Sequence, residues 1–91
     1  MTDHATLYAE AVLGKEAEEW LKSDVGRYLV ARAEEEEKDA LELLASVSPW
    51  RRRRIQDLQA RIWRAQMFRQ WLGEMVITGR QALNQLEQQP E

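Results

Sequence analysis

The sequence predicts an all-α protein: a long antiparallel helical hairpin, kinked or broken near Ser23-Gly26, with its tip at Ser48-Pro49. The first observation is an apolar stripe in the second half, whose steps of three and four residues are typical of one side of a helix. The second is the absence of proline between Pro49 and Pro90, which allows one helix to span that interval. The third is Ser48-Pro49 itself, because serine caps helices and proline suits a first helical position. The stripe comprises Ile55, Leu58, Ile62, Ala65, Leu72, Val76, Gly79, Leu83 and Leu86.

We expect residues 1–91 to form a single helical domain whose first helix covers residues 3–22, capped by Thr2 or Asp3. A second helix is predicted over residues 24–47, and the sequence leaves open whether it is continuous with the first. Between them, Ser23-Gly26 combines a good N-cap with a poor helix former, which favours a kink or a break. A full break lets the first helix fold back into a three-helix bundle. We favour the kinked hairpin.

The third helix is predicted over residues 49–88, and Pro90 follows it. At ~1.5 Å per residue it is roughly 60 Å long, which matches the first two helices together. The hairpin register then places Gly26 opposite Trp71. It also places the acidic run 34–37 beside two arginines of the third helix, and these charges favour antiparallel pairing. The two arginines are Arg61 and Arg64.

The apolar content exceeds what a two-helix rod can bury. Hydrophobic residues make up 44% of the 91 residues, and four of them are tryptophan. Around position 70 the stripe widens beyond the width that one partner helix covers, so we expect part of it to lie between chains in an oligomeric helical bundle. The alternative is a compact monomer with half-exposed tryptophans. The predicted protein interface comprises Trp63, Phe68, Trp71 and Met75.

A run of four arginines after Trp50 is the sharpest local oddity. Cations in the first turn of a helix oppose the helix dipole, so a compensating anion is expected. One interpretation is that the arginines contact an anion, which could be a nucleic acid, a smaller anion or an acidic protein. The indole of the neighbouring tryptophan would then be placed to stack on a base. The other is a solvated tip neutralised by nearby carboxylates. The residues concerned are Trp50, Arg51, Arg52, Arg53 and Arg54.

The remaining patterns argue against an enzyme. The chain has no cysteine, its lone histidine has no companion at metal-ligand spacing, and its four glycines form no phosphate-binding loop. We therefore expect no catalytic residue, no metal and no cofactor. No signal-peptide pattern or long apolar run occurs, so we expect neither secretion nor membrane insertion. The net charge of −3 does not favour a general nucleic-acid binder.

Several short elements together resemble short helical proteins encoded by tailed bacteriophages and prophages. The resemblance spans roughly residues 14 to 86, and it implies a phage origin, often among head and packaging genes, without an established activity. The arginine run does not belong to it. The elements are Gly26-Arg27-Tyr28-Leu29, Arg32-Ala33-Glu34, Ile55-Gln56-Asp57-Leu58-Gln59, Phe68-Arg69-Gln70-Trp71-Leu72 and Gly79-Arg80-Gln81-Ala82.

These observations favour a non-enzymatic structural or interaction protein that self-associates and docks on a phage or host protein. It would act in the host cytoplasm or in the virion. One alternative is a nucleic-acid-binding accessory that uses the arginine run, and a second is a small inhibitor of a host enzyme.

Overall fold

The computed structural model describes residues 3–88, and over that range the protein is all-α, as predicted. Helix α1 covers His4–Lys22, α2 covers Asp24–Ser46 and α3 covers Arg52–Gln88. The first two agree with the predicted ranges to within one residue at each end. Thr2, the alternative cap, and Pro90 lie outside the described residues.

One extended residue, Ser23, separates α1 from α2, with φ −72° and ψ 161°. Its side-chain oxygen accepts a hydrogen bond from the backbone N–H of Gly26 at 3.0 Å, which caps α2. Gly26 is buried against the end of α1, where a Cβ atom would lie 1.8 Å from the carbonyl oxygen of Trp20. The cap and the close approach of Gly26 together hold the two helices at this junction.

Helix α3 begins three residues later than predicted. The backbone N–H of Arg51 donates to the carbonyl of Ser48 at 3.0 Å, so residues 48–51 form a turn. The first helical bond joins the N–H of Ile55 to the carbonyl of Arg51, also at 3.0 Å. Proline is favoured at the second position of such a turn as well as at the start of a helix, and here the turn is formed.

Helix α3 packs against both α1 and α2. Gly14 lies against Gly79, and the ring of Trp20 meets that of Phe68 edge-on with centroids 6.3 Å apart. Because later positions of α1 meet earlier positions of α3, the two helices run in opposite directions. The protein measures 63 × 31 × 14 Å, which is a single layer of helices. The pairing of Gly26 with Trp71 stays a prediction, and the nearest neighbours of Gly26 are Trp20 and Leu21 at the end of α1.

Small residues fill the helix contacts. In α2 the buried positions recur every seven residues, and α3 shows the same spacing in its first half. Only Leu58 is both large and fully buried among the described residues. Small side chains let the helices approach closely, and they leave most large apolar side chains outside. The buried residues are Leu7, Gly14, Ala17, Gly26, Ala33, Ala40, Leu58, Ala65, Gly79 and Ala82.

Candidate interaction surfaces

The protein exposes more surface than a compact chain of its size. Its accessible surface is 7257 Å², whereas a compact monomer of 10.7 kDa exposes about 5,500 Å². The excess of about 1,700 Å² follows from the single-layer arrangement, which covers each helix on one side only. Much of the exposed surface is apolar. Exposed large apolar residues include Tyr8, Val12, Leu13, Val25, Tyr28, Leu29, Leu41, Leu43, Trp50, Trp63, Trp71, Met75, Ile77 and Leu83.

The predicted protein interface divides into an exposed part and a packed part. Trp63, Trp71 and Met75 are 55%, 56% and 39% exposed. Phe68 is half-buried, and it packs within the chain on Trp20. Three of the four residues therefore lie on an accessible surface, and Phe68 supports that surface from inside.

Trp71 and Met75 line a groove between α1 and α3, which we call the tryptophan groove. It consists of two adjoining hollows of about 320 and 350 Å³ that share Leu13 and Met75. Aromatic and aliphatic side chains dominate both hollows. The other lining residues are Glu10, Glu16, Ala17, Trp20, Leu72, Glu74 and Thr78.

All the charged side chains that line the tryptophan groove are acidic. Glu10 and Glu16 come from α1, and Glu74 comes from α3. Glu74 accepts a hydrogen bond from Gln70 at 3.0 Å, and within residues 3–88 none of the three carboxylates forms a salt bridge. The groove therefore offers an apolar floor with a negative rim.

A second groove of about 570 Å³ also lies between α1 and α3, and it shares no lining residue with the tryptophan groove. Tyr8, Val12 and Leu83 form much of its apolar lining. Arg80 donates a 2.6 Å hydrogen bond to Glu18 at its edge. That bond, with the positive charge of Arg80, holds the pKa of Glu18 below its ordinary value. The side chain of Glu18 thus joins α1 to α3.

The tip of the molecule carries the arginine run. Trp50 is 90% exposed, and Arg51, Arg52 and Arg53 are exposed beside it. Arg54 pairs with Asp57 at 3.5 Å. Among the described residues no carboxylate forms a salt bridge with the first three arginines, so the tip presents an unneutralised basic surface next to an indole.

The acidic run of α2 forms its salt bridges with an arginine that was not predicted, although the predicted Arg61 lines one hollow with Glu35 and Glu36. Arg69 lies between α2 and α3, where it pairs with Glu37 and, at 3.9 Å, with Glu34. Arg61 instead forms a salt bridge with Asp57 on its own helix at 3.2 Å.

Within residues 3–88 no three histidine or acidic side chains converge as metal ligands. None of the helices there combines the length and apolarity needed to cross a membrane.

No known protein family, curated protein or solved structure matches this chain.

The sequence did not predict two features of these surfaces. The acidic rim combines residues of α1 with one of α3, and only the contact between helices brings them together. The second groove lies where the contact of Gly14 with Gly79 brings α1 and α3 close together. The signal that existed was the pair of glycines, each inside a helix where glycine otherwise costs up to ~1 kcal/mol.

Proposed function

We propose that this protein is a non-enzymatic assembly module, of the kind encoded by phages, that works as a kinked helical hairpin. It self-associates through the tryptophan groove together with Trp63, and the assembled form docks on a phage or host protein. The resemblance to short phage proteins supports the phage context. The chain's surface supports the self-association.

The observation that carries the proposal is that mostly small residues are buried between the helices, while most of the large apolar residues are exposed. Alanine and glycine occupy the helix contacts, while three of the four tryptophans are exposed. Burial of apolar surface stabilises by about 25 cal/mol per Å², so a surface of this kind favours association. If two copies each buried the excess area, the interface would total about 3,400 Å², which falls within the range of obligate dimers.

Light scattering after size-exclusion chromatography tests self-association. We expect an oligomer, with a mass of two or more times 10.7 kDa, at low and at high salt. The double variant Trp71→Glu/Met75→Glu should elute as a monomer, because two charges would have to be buried in the interface. A matched control, Gln66→Glu/Gln81→Glu, adds the same charge at exposed positions of α3 outside both grooves and should keep the native mass. A monomeric native chain would overturn the proposal.

A second candidate function, nucleic-acid binding, is favoured by one observation. Arg51, Arg52 and Arg53 are exposed and have no carboxylate partner within residues 3–88, beside an indole able to stack on a base. Binding of labelled single-stranded DNA or RNA should then weaken steeply with salt, because phosphate contacts release counterions. A variant with alanine at positions 51–54 should lose it. Equal binding by that variant would exclude this function.

A further inference from the structure

We infer that the tryptophan groove of one copy receives the Trp50–Arg54 tip of a second copy, so that two chains dock reciprocally. The inference rests on the proposed self-association and specifies its contact. A second copy is the occupant because the groove has an apolar floor with an acidic rim, and the tip is aromatic and basic.

The groove selects an occupant that is both apolar and positively charged. Leu13, Trp71 and Met75 offer an apolar floor, and Glu10 and Glu74 lie at its rim without a basic neighbour in the lining. An aliphatic helix would cover the floor but leave the carboxylates desolvated and unpaired, which is costly. A segment with an aromatic ring followed by cations would cover the apolar floor and pair with the carboxylates of the rim.

The tip of this chain has that chemistry. Trp50 is the most exposed of the large apolar residues in the described chain, and three unpaired arginines follow it. Arginine is well suited to pairing with carboxylates at an interface, because its planar fork donates several hydrogen bonds. Arginine and tryptophan are also the residues enriched at the energetic centres of protein interfaces.

The tip cannot reach the groove of its own chain. Both belong to α3 or adjoin it, and Trp71 lies nineteen positions after Arg52 in one continuous helix. At ~1.5 Å per residue, that is about 28 Å of rigid rod. The tip can therefore fill only the groove of another copy.

Reciprocal docking makes the contact self-complementary. In a two-fold dimer, if residue i of one chain contacts residue j of the other, then j also contacts i. With Trp50 at Met75 and Arg54 at Trp71, the α3 helices run antiparallel, and the midpoint of both pairs falls between Ile62 and Trp63. Residues 62 and 63 are then level with the two-fold axis along the length of α3.

Charge reversal on each side tests the contact in the full chain. The tip variant is Arg51→Glu/Arg53→Glu, and the groove variant is Glu10→Arg/Glu74→Arg. Each alone should weaken dimerisation by roughly 100-fold, because like charges face each other at both contacts. An equimolar mixture should restore a 1:1 dimer, because every tip then meets a groove of opposite charge. Loss of folding cannot produce that rescue.

Mass determination by light scattering reads out each sample, with circular dichroism as the check on folding. Rescue by mixing supports the inference. If both reversed variants keep the native oligomer, the occupant is wrong and the proposed self-association stands. If the native chain is monomeric, the proposed function itself fails. If nuclease treatment dissociates the native oligomer, nucleic acid occupies the tip and the inference is overturned.

Discussion

At the scale of single residues, the contact between Gly14 and Gly79 sets how closely α1 and α3 approach. A Cβ atom on Gly14 would lie 2.6 Å from the Cα atom of Gly79 and 2.8 Å from the carbonyl oxygen of Met75. Both neighbours are backbone atoms, which cannot move aside as a flexible side chain does. Wider spacing would also alter both grooves, whose walls come from these two helices.

Gly14→Ala should therefore destabilise the protein, although alanine is the better helix former. We expect a loss of about 1–3 kcal/mol in the free energy of unfolding, which is typical of overpacking. Gly73→Ala is the matched control, since nothing lies within 4 Å of its Cβ position. It should gain about 1 kcal/mol from helix propensity alone. Urea unfolding followed by circular dichroism measures both, and equal gains would show that the helices are not in contact at Gly14.

The ion pair of Glu18 with Arg80 should make stability depend on pH. The pKa of Glu18 is lowered in the folded protein, chiefly by the hydrogen bond from Arg80. A carboxyl with a lowered pKa stabilises the fold above its ordinary value of 4.5, and this contribution disappears as the pH falls through the lowered pKa. Glu18→Gln should therefore unfold at a lower temperature than the native chain near pH 7, with the gap closing in acid. A constant gap across that range would contradict the role of charge.

At the scale of the helix elements, the serine cap at the start of α2 matters more than the serine before Pro49. Ser23 accepts the N–H of Gly26, so Ser23→Ala should cost about 0.5–2 kcal/mol. Ser48 is exposed, and its carbonyl rather than its side chain closes the turn that precedes α3. Ser48→Ala should change stability by no more than about 0.5 kcal/mol. Thermal unfolding of both variants provides the comparison, and a larger loss for Ser48→Ala would restore it as the cap of α3.

The bounds of the first two helices were predictable because local chemistry decides them, whereas the individual contacts between helices were not. The break at Ser23 follows from a cap and a glycine within four residues, both visible in the sequence. The start of α3 was misplaced because Pro49 is equally suited to a turn and to a first helical position. Arg69 was not predicted as the partner of Glu34 and Glu37. Contacts between helices decide which charges pair, and periodicity within one helix does not report those contacts.

The same distinction applies to the interaction surfaces. Trp63, Trp71 and Met75 were predicted from the width of a stripe, which is a property of one helix, and all three are exposed. Phe68 belongs to the same stripe, yet it packs inward because Trp20 of α1 lies above it. A stripe identifies which residues are available for contact, whereas the neighbouring helix decides which of them remain free.

At the scale of the whole molecule, charge and apolar surface are distributed unevenly along the long axis. The tip is basic, while the tryptophan groove farther along α3 has an acidic rim. Two molecules lying side by side in the same direction would place like regions together. Opposite directions pair basic with acidic regions on both sides, so the distribution favours an antiparallel dimer.

An antiparallel dimer whose axis is level with residues 62 and 63 makes a geometric prediction, and the chain has no cysteine of its own to interfere. Arg64 is exposed and adjoins Trp63, so Arg64→Cys places two thiols near the axis while both tryptophans stay in place. A short bismaleimide should then link two chains. Ile77→Cys is the control, because Ile77 is similarly exposed at 58% but lies thirteen residues along α3 from Arg64. At ~1.5 Å per residue its two copies would be about 40 Å apart. Denaturing electrophoresis should show a dimer band for Arg64→Cys alone, and a stronger band for Ile77→Cys would mean that the copies meet in another register.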